Sequence, residues 1–230
     1  NVGFLVSNCV EGMPTADQRV RDAIAHCMNI EELASVATSG AGTPAYNLAT
    51  PLVQYYGDVC EHVTVDVEAA NALMTEAGYS ASNPLELTLV VLSAYPDWVA
   101  ASEILKAQLE QSYFVINIEQ LPDSSRIFIQ DFDLALTGMG LTTQFNSYAQ
   151  LFDLETGLNL SGINDPQIQA VFDAITDEAS AQAAMKAATE SRAYIPLFYN
   201  TTFLAYDADV NAGPFYTQFS AFMYRDFSWK

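Results

Sequence analysis

Apolar side chains that recur every three or four residues predict a series of helices along this chain. The predicted helices begin at Asp17, cover 30–36, begin at Asp66, cover 97–111 and 124–130, begin at Asp165, and cover 180–192. The first helix has its buried stripe at Val20, Ile24, Cys27 and Met28. Aspartate at the three named starts is a good helix cap, and Gly78 is expected to end the third helix in the left-handed conformation.

Alternating apolar and polar side chains predict strands between these helices. The predicted strands cover 2–7, 85–91, 114–118, 132–136, 194–199 and 203–206. Glu86 and Thr88 interrupt the second strand, so we expect one of its faces to meet solvent. Glycines and prolines predict a loop at 39–51, and the polar and aromatic stretch 138–159 is expected to be irregular. This order of strands and helices is typical of an α/β fold with a mostly parallel or mixed sheet.

Length and charge narrow the classes of function. The chain has 230 residues, of which 50% are hydrophobic, so it can bury a substantial core within one or two domains. It carries 28 acidic and 8 basic residues, a formal net charge of −20. Such a charge repels nucleic-acid phosphates and anionic lipid, so neither is an expected partner. No apolar run approaches the roughly 20 residues that a membrane span requires.

Three cysteines, Cys9, Cys27 and Cys60, leave the redox compartment open. Cys27 lies on the buried stripe of the first predicted helix, so we expect it in the core. Extracellular surroundings would permit one disulfide, which we expect to include Cys60, whereas a cytosolic protein would keep three free thiols.

One group of residues could bind zinc by its chemistry. Cys60 and His62 form one pair of zinc-ligand type, and His26 and Cys27 form another. Adjacent residues on a helix point about 100° apart, so His26 and Cys27 cannot easily share one ion. We therefore expect Cys27 in the core, His26 in solvent and no zinc site.

A second group follows the spacing of a calcium-binding loop. Asp207, Asp209 and Asn211 occupy the first, third and fifth positions of that pattern. The glycine comes one position too late, at Gly213, and Gln218 stands where a bidentate glutamate is required. We therefore expect a polar turn, and no metal or other cofactor.

No sequence pattern indicates a catalytic centre. The chain lacks the phosphate-binding G-x-x-x-x-G-K-[ST] loop, the G-x-S-x-G nucleophile turn and the H-E-x-x-H zinc motif. Asp131 and Asp133 could form a carboxylate pair, but alternation with apolar neighbours predicts a solvated strand face instead. Without a nucleophile, a base and an oxyanion donor, the sequence favours a protein that is not an enzyme.

Several segments follow the order of one known family. Residues 17–24 are similar to a D-x-R-V-R-x-A helix, and residues 66–79 to D-x-E-K-A-K-x-L-L-x-E-A-G-Y. Residues 132–138 resemble Y-D-L-x-L-x-G, and residues 194–199 resemble x-I-P-L-Y-Y. In this order the motifs resemble the family 5 extracellular solute-binding proteins, the dipeptide and oligopeptide receptors of ABC importers.

The resemblance implies the second lobe of a two-lobed receptor: a type II periplasmic-binding-protein-like lobe with a mixed sheet flanked by helices. It implies a single α/β lobe over 1–230 with a C-terminal return segment at about 207–230, and it places the first lobe and a signal peptide outside this sequence. Such a bacterial receptor would act in the periplasm or at the extracellular face of the cytoplasmic membrane, held there by a lipid anchor. It would deliver a peptide or another small solute to an ABC permease.

The solute is expected at the loop after the strand 132–136, where open α/β sheets place their binding crevices. The expected ligand-binding residues are Met139, Gly140, Thr142, Thr143, Gln144 and Phe145. Gly138 and Gly140 would permit close approach of the backbone to the ligand. The resemblance places a Trp and an Asp of peptide-binding members at Met139 and Thr142, and that Asp pairs with the peptide's α-amino group. A neutral hydroxyl cannot supply this charge-assisted hydrogen bond.

Two other functions remain open from the sequence. A surface interaction or sensory module could reuse this fold without transport, and a hydrolase with an acidic surface is a third hypothesis. A lipobox signal peptide and neighbouring permease genes would favour transport, because a fold alone does not determine a function.

Overall fold

The computed structural model describes residues 2–140, 146–200, 207–211 and 228–229. The helices are α1 (Gln18–Cys27), α2 (Ile30–Ala37), α3 (Val67–Glu76), α4 (Pro96–Leu109), α5 (Ser125–Phe128), α6 (Asn146–Ala149), α7 (Pro166–Asp173) and α8 (Glu178–Glu190). The strands are β1 (Val2–Ser7), β2 (Thr43–Pro44), β3 (Leu85–Leu92), β4 (Phe114–Leu121), β5 (Leu134–Met139), β6 (Tyr194–Tyr199), β7 (Val210–Asn211) and β8 (Ser228–Trp229). Within these ranges, none of the helices has the length and apolar character needed to cross a bilayer.

Six strands form one mixed sheet in the order β2-β6-β1-β5-β3-β4. Strand β3 is parallel to β4 and β5, whereas β1 runs antiparallel to both β5 and β6. The carboxyl ends of β3, β5 and β6 therefore share one edge of the sheet with the amino end of β1. Strands β7 and β8 pair separately. The predicted α/β architecture with a mixed sheet is confirmed.

Apolar cores lie on both faces of the sheet, because successive strand residues point to opposite sides. Leu5 of β1 packs in one core with α1 to α4, and its neighbour Val6 packs in a second core with α7 and α8. In β3, Leu89 belongs to the first core and Val90 to the second, where it is fully buried. The prediction that one face of β3 meets solvent was therefore wrong for the second half of the strand, because Val90 packs in the second core.

Helix ends follow the capping residues. The carboxylates of Asp17, Asp66 and Asp165 each accept a backbone N–H from the first turn of the helix that follows. Gly78 ends α3 with a φ of +97°, which glycine adopts without strain. These predicted ends are confirmed. Helix α8 begins before residue 180, because Asp177 caps it.

The pattern of apolar and polar residues predicted the positions and lengths of the short helices and strands less accurately. Strand β2 lies within the predicted loop 39–51 and exists because it pairs with β6, a partner far away in sequence. Strand β5 continues to Met139 and α6 follows it, so 138–159 is not wholly irregular. Helix α5 covers only part of the predicted helix 124–130. The strand predicted at 203–206 lies outside the described residues.

The three thiols are free, and no disulfide joins them. Cys27 is buried in the first core, as predicted, and Cys60, the expected member of a disulfide, is buried too. Burial raises the pKa of Cys27 to about 12 and that of Cys9 to about 11, so both thiols are neutral. His26 is half-buried, not solvated as expected, because it lines a cavity that other segments enclose.

Candidate functional site

A cavity of about 150 Å³ opens where the carboxyl ends of β3, β5 and β6 meet. Strand β3 leads into Tyr95 and Trp98 at the start of α4, and β5 leads into Met139 and Gly140. Asn200 follows β6, and the amino end of β1 completes the wall. Residues far apart in the sequence thus reach one site because their strands end at one edge.

Trp98 forms an anchored wall of this cavity. Its ring centroid lies 5.0 Å from that of Tyr95 in a stacked arrangement, and 5.6 Å from that of Phe198 in an edge-on arrangement. Phe198 is fully buried, whereas Tyr95 is 49% exposed. The indole is therefore fixed on the core side, and the aromatic pair presents an apolar surface on the other side.

Gly138 makes room for this tryptophan. A Cβ atom at Gly138 would lie 2.9 Å from Cη2 of Trp98 and 2.9 Å from the carbonyl oxygen of Val2. The indole of Trp98 thus occupies the space that a side chain at Gly138 would need, while Gly138 itself is exposed and lines the cavity, so its close approach to a ligand stays a prediction. Gly140, two residues further along the chain, is also exposed at the cavity.

The structure describes two of the predicted ligand-binding residues. Met139 is half-buried and lines the cavity together with the exposed Gly140. The other four, Thr142, Thr143, Gln144 and Phe145, lie outside the described residues. Met139 and Gly140 share the cavity with Tyr95 and Trp98, and the role of the remaining four stays a prediction.

Sequence reasoning missed Tyr95, Trp98 and Asn200. Tyr95 and Trp98 lie after β3 at the start of α4, and Asn200 follows β6. A single sequence does not show that these strands end at the same edge of the sheet as β5. A usable signal was present: aromatic residues that directly follow a buried strand lie in a connecting segment, where binding residues concentrate.

Tyr199, the last residue of β6, fixes a neighbouring loop to the sheet close to the cavity. Its hydroxyl lies 2.8 Å from the carbonyl oxygen of Asn47 and 2.9 Å from that of Ala49. Burial is the main cause that raises the pKa of Tyr199 far above its ordinary value. The neutral hydroxyl keeps its proton and donates it to these backbone oxygens, which holds the neighbouring loop against β6.

The carboxylate pair considered for acid–base chemistry has structural partners. Asp133 accepts the backbone N–H of Thr88 at 2.7 Å, and Asp131 pairs with Arg126 at 2.8 Å. The predicted solvated face is confirmed for Asp131, which is exposed, whereas Asp133 is half-buried because it precedes β5 and bonds to β3.

The described residues contain no group of three side chains that could hold a metal ion. His62 stacks on Tyr46 with ring centroids 3.9 Å apart, and its Nε2 lies 2.9 Å from Oδ1 of Asp58. Asp207 accepts the backbone N–H of Asp209 at 2.9 Å. Both candidate metal groups therefore make local packing or turn contacts.

Comparisons with known proteins point to one family. The sequence profile of bacterial extracellular solute-binding proteins, family 5 Middle, matches residues 1–157. The dipeptide-binding protein of Escherichia coli (strain K12) is 36% identical over 87 residues, which are 38% of this chain and 16% of that protein. A substrate-binding protein of an ABC transporter from Listeria monocytogenes has a TM-score of 0.86 at 17% identity, and the match covers 99% of this chain and 50% of that protein. The murein tripeptide binding protein of Escherichia coli has a TM-score of 0.81 at 17% identity, and the match covers 99% of this chain and 48% of that protein.

The chain spans about half the length of these solved structures. At such low identity the structural matches show a shared fold alone. That fold is the type II periplasmic-binding-protein-like lobe expected from the sequence.

Proposed function

Because this chain belongs to the family 5 bacterial extracellular solute-binding proteins, we propose that it forms the substrate-binding lobe of a receptor that captures peptides, or another small solute, for an ABC importer. The cavity at the carboxyl edge of β3, β5 and β6 carries this proposal. It combines an apolar wall with a few polar groups, as small-molecule sites usually do. The names of the dipeptide-binding and murein tripeptide binding relatives support peptides as the solute class.

Capture would work by closure of two lobes on the solute. The chain spans about half of its solved relatives, so in this proposal a second lobe supplies the opposite wall. The amino end of β1 and the carboxyl end of β6 meet at the cavity, and connections between lobes at these points would place the hinge beside the solute. A solute that contacts both walls favours the closed state, because only that state offers both sets of contacts. The closed form would then dock on the permease.

The location and domain limits follow from the same proposal. We assign residues 1–230 to one lobe, with 207–230 as its return segment; the pairing of β7 with β8 supports this return. The complete receptor would act outside the cytoplasmic membrane of a bacterium, held by a lipid anchor.

We propose capture without chemistry. In the part of the chain that the structure describes, no serine or cysteine side chain hydrogen-bonds to a histidine, the arrangement that activates such nucleophiles. The relatives are named for binding, and the carboxylates near β5 have structural roles.

The test is thermal denaturation of the full-length receptor with peptide pools and other small solutes. A bound solute should raise Tm in proportion to the logarithm of its concentration, because it binds only the folded state. Met139→Asp should abolish the shift, whereas Met13→Asp, a change at another half-buried methionine outside the cavity, should retain it. Absence of a shift with every pool would contradict the proposed function.

A further inference from the structure

We propose that the part of the solute facing this lobe is uncharged and either planar or apolar, and that the surface formed by Tyr95 and Trp98 holds it without ion pairs. This inference rests on the proposed function and names its substrate class more closely. A free peptide has a charged group at each end. The inference therefore assigns to this lobe a neutral side chain and its adjoining backbone, and not a peptide terminus.

No described residue that lines the cavity carries a charge. The polar members are Tyr95 and Asn200, and the others are apolar side chains or glycines. The adjoining segments 141–145 and 201–206, which lie outside the described residues, contain no acidic or basic residue in the sequence. The absence of charge is thus shared by the described lining residues and by the sequence of these two segments.

The described basic residues are engaged elsewhere. Each has an acidic or backbone carbonyl partner away from the cavity: Arg19, Arg21, Lys106, Arg126, Lys186 and Arg192. Arg21, which is deeply buried, donates to the carbonyl oxygens of Ser191 and Thr15. Arg225 and Lys230 lie outside the described residues. Within the described part of this lobe, a solute carboxylate would find no cation at the cavity.

The acidic residue nearest to the aromatic pair is also engaged. Asp97 accepts a hydrogen bond from Oγ of Ser39 at 2.8 Å and does not line the cavity. An ammonium group in the cavity would therefore gain no carboxylate partner from the described lining residues. The net charge of −20 attracts cations from a distance, but the described lining of the cavity offers them no carboxylate.

The aromatic pair supplies the attraction. Trp98 is anchored on Phe198, and Tyr95 stacks on Trp98 while 49% of it stays exposed. Rings that are already fixed offer contact area at little further cost in side-chain entropy. Met139 can adapt its flexible thioether to different apolar shapes. Asn200 offers both a donor and an acceptor to a neutral peptide group.

The experiment uses the full-length receptor and tripeptides that are acetylated and amidated at their ends. Phe, Leu, Glu or Lys is placed at each position in turn, and affinities are measured by calorimetry. At one position, Phe and Leu should bind at least about tenfold more tightly than Glu and Lys. Tyr95→Ala should reduce this preference to below about threefold. Tyr113→Ala, a matched change next to β4 at the opposite edge of the sheet, should preserve it.

The outcomes separate this inference from the proposed function. A preference for Glu or Lys, or a Phe preference that survives Tyr95→Ala, would overturn the inference. Binding of free peptides without binding of blocked ones would also overturn it, while capture of peptides would stand.

A second probe covers the case in which no peptide binds. N-acetylphenylalaninamide should shift the ¹⁹F resonance of 5-fluorotryptophan at Trp98, assigned with Trp98→Phe, whereas the charged Glu and Lys analogues should not. A shift with the neutral analogue alone would support the inference even though peptide capture had failed. If none of the analogues shifted the resonance, both the inference and the proposed function would be contradicted.

Discussion

At the scale of single residues, two glycines determine how aromatic rings pack at the edge of the sheet. Gly3 and Gly138 face each other across β1 and β5. A Cβ atom at Gly3 would overlap the ring of Phe198, and one at Gly138 would crowd Trp98. The wall of the cavity thus depends on two positions without side chains, because the rings occupy the space that side chains would need.

Gly3→Ala should lower the free energy of unfolding by about 1–3 kcal/mol, the usual cost of overpacking a core. Phe198 is fully buried and packs in the first core, so its ring cannot turn out into solvent. Urea denaturation measures this change. In the control Gly57→Ala, the new methyl group would meet only the flexible amide of Gln182, so a change within about 0.5 kcal/mol is expected. Equal losses in the two variants would contradict the argument.

The thiols should react slowly in the native protein. Burial raises the pKa of Cys27 to about 12 and that of Cys9 to about 11, so almost no thiolate exists at neutral pH. Iodoacetamide should modify both far more slowly in buffer than in urea, as measured by mass spectrometry of the labelled peptides. Rapid modification of all three thiols in the native, unreduced protein would show that they are not buried.

At the scale of elements, hydrogen bonds at helix ends connect local sequence to the core. The carboxylate of Asp177 accepts the backbone N–H of Ser180 at 2.9 Å, and the hydroxyl of Ser180 accepts that of Asp177 at 3.0 Å. Helix α8 begins at this reciprocal cap and contributes Ala184 and Met185 to the second core. The cap therefore stabilises an element on which the sheet packs.

Acid should weaken this cap. Hydrogen bonds from the backbone and the side chain of Ser180 lower the pKa of Asp177 below its ordinary value. Because the folded-state pKa is below the unfolded one, the stabilisation is present at neutral pH and is lost as the pH falls through the folded-state pKa. Asp177→Asn keeps a neutral cap, so it should leave Tm near neutral pH almost unchanged and flatten the fall of Tm below about pH 4. An unaltered acid profile in this variant would contradict the assignment.

The loop after β5 is the element for which a binding role remains a prediction. Thr142→Ala combined with Gln144→Ala in the full-length receptor should weaken solute binding by about thirtyfold, because each of the two lost hydrogen bonds contributes on the order of 1 kcal/mol. Tm should remain nearly the same. Thr75→Ala with Gln111→Ala changes the same residue types at exposed positions away from the cavity and serves as the control. Unaltered affinity in the first pair would remove this loop from the site.

At the scale of the whole molecule, this chain supplies one wall of the proposed site. It spans about half of the solved structures that share its fold. The cavity of about 150 Å³ is open, so a small peptide placed there would keep much of its surface in water. Small-molecule sites usually bury most of their ligand, so in the proposed two-lobed receptor one wall alone would leave much of the binding free energy unrealised.

The isolated chain should therefore bind no dipeptide or tripeptide tightly. Calorimetry of residues 1–230 with the peptides that stabilise the full-length receptor should give no saturable heat at micromolar concentration. The full-length receptor, measured in parallel, is the positive control. Micromolar affinity of the isolated chain would show that one wall suffices.

The sequence by itself determined the local elements and the family. Helix periodicity, the aspartate caps and Gly78 act within a few residues, so their effect can be recognised without knowledge of the fold. The same holds for the motifs at 17–24 and 66–79, which follow from residue order alone. Met139 and Gly140, which line the cavity, could be selected from the sequence because they lie just after the predicted strand 132–136, and their binding role stays a prediction.

Only the tertiary structure decided which strand ends meet. The order β2-β6-β1-β5-β3-β4 brings Tyr95, Met139 and Asn200 to one cavity. It also packs the indole of Trp98 over Gly138 and lets Asp133 accept a hydrogen bond from the backbone N–H of Thr88 in β3. These contacts join residues tens to more than a hundred positions apart, and such contacts depend on strand order and packing. Periodicity within one segment carries no information about either.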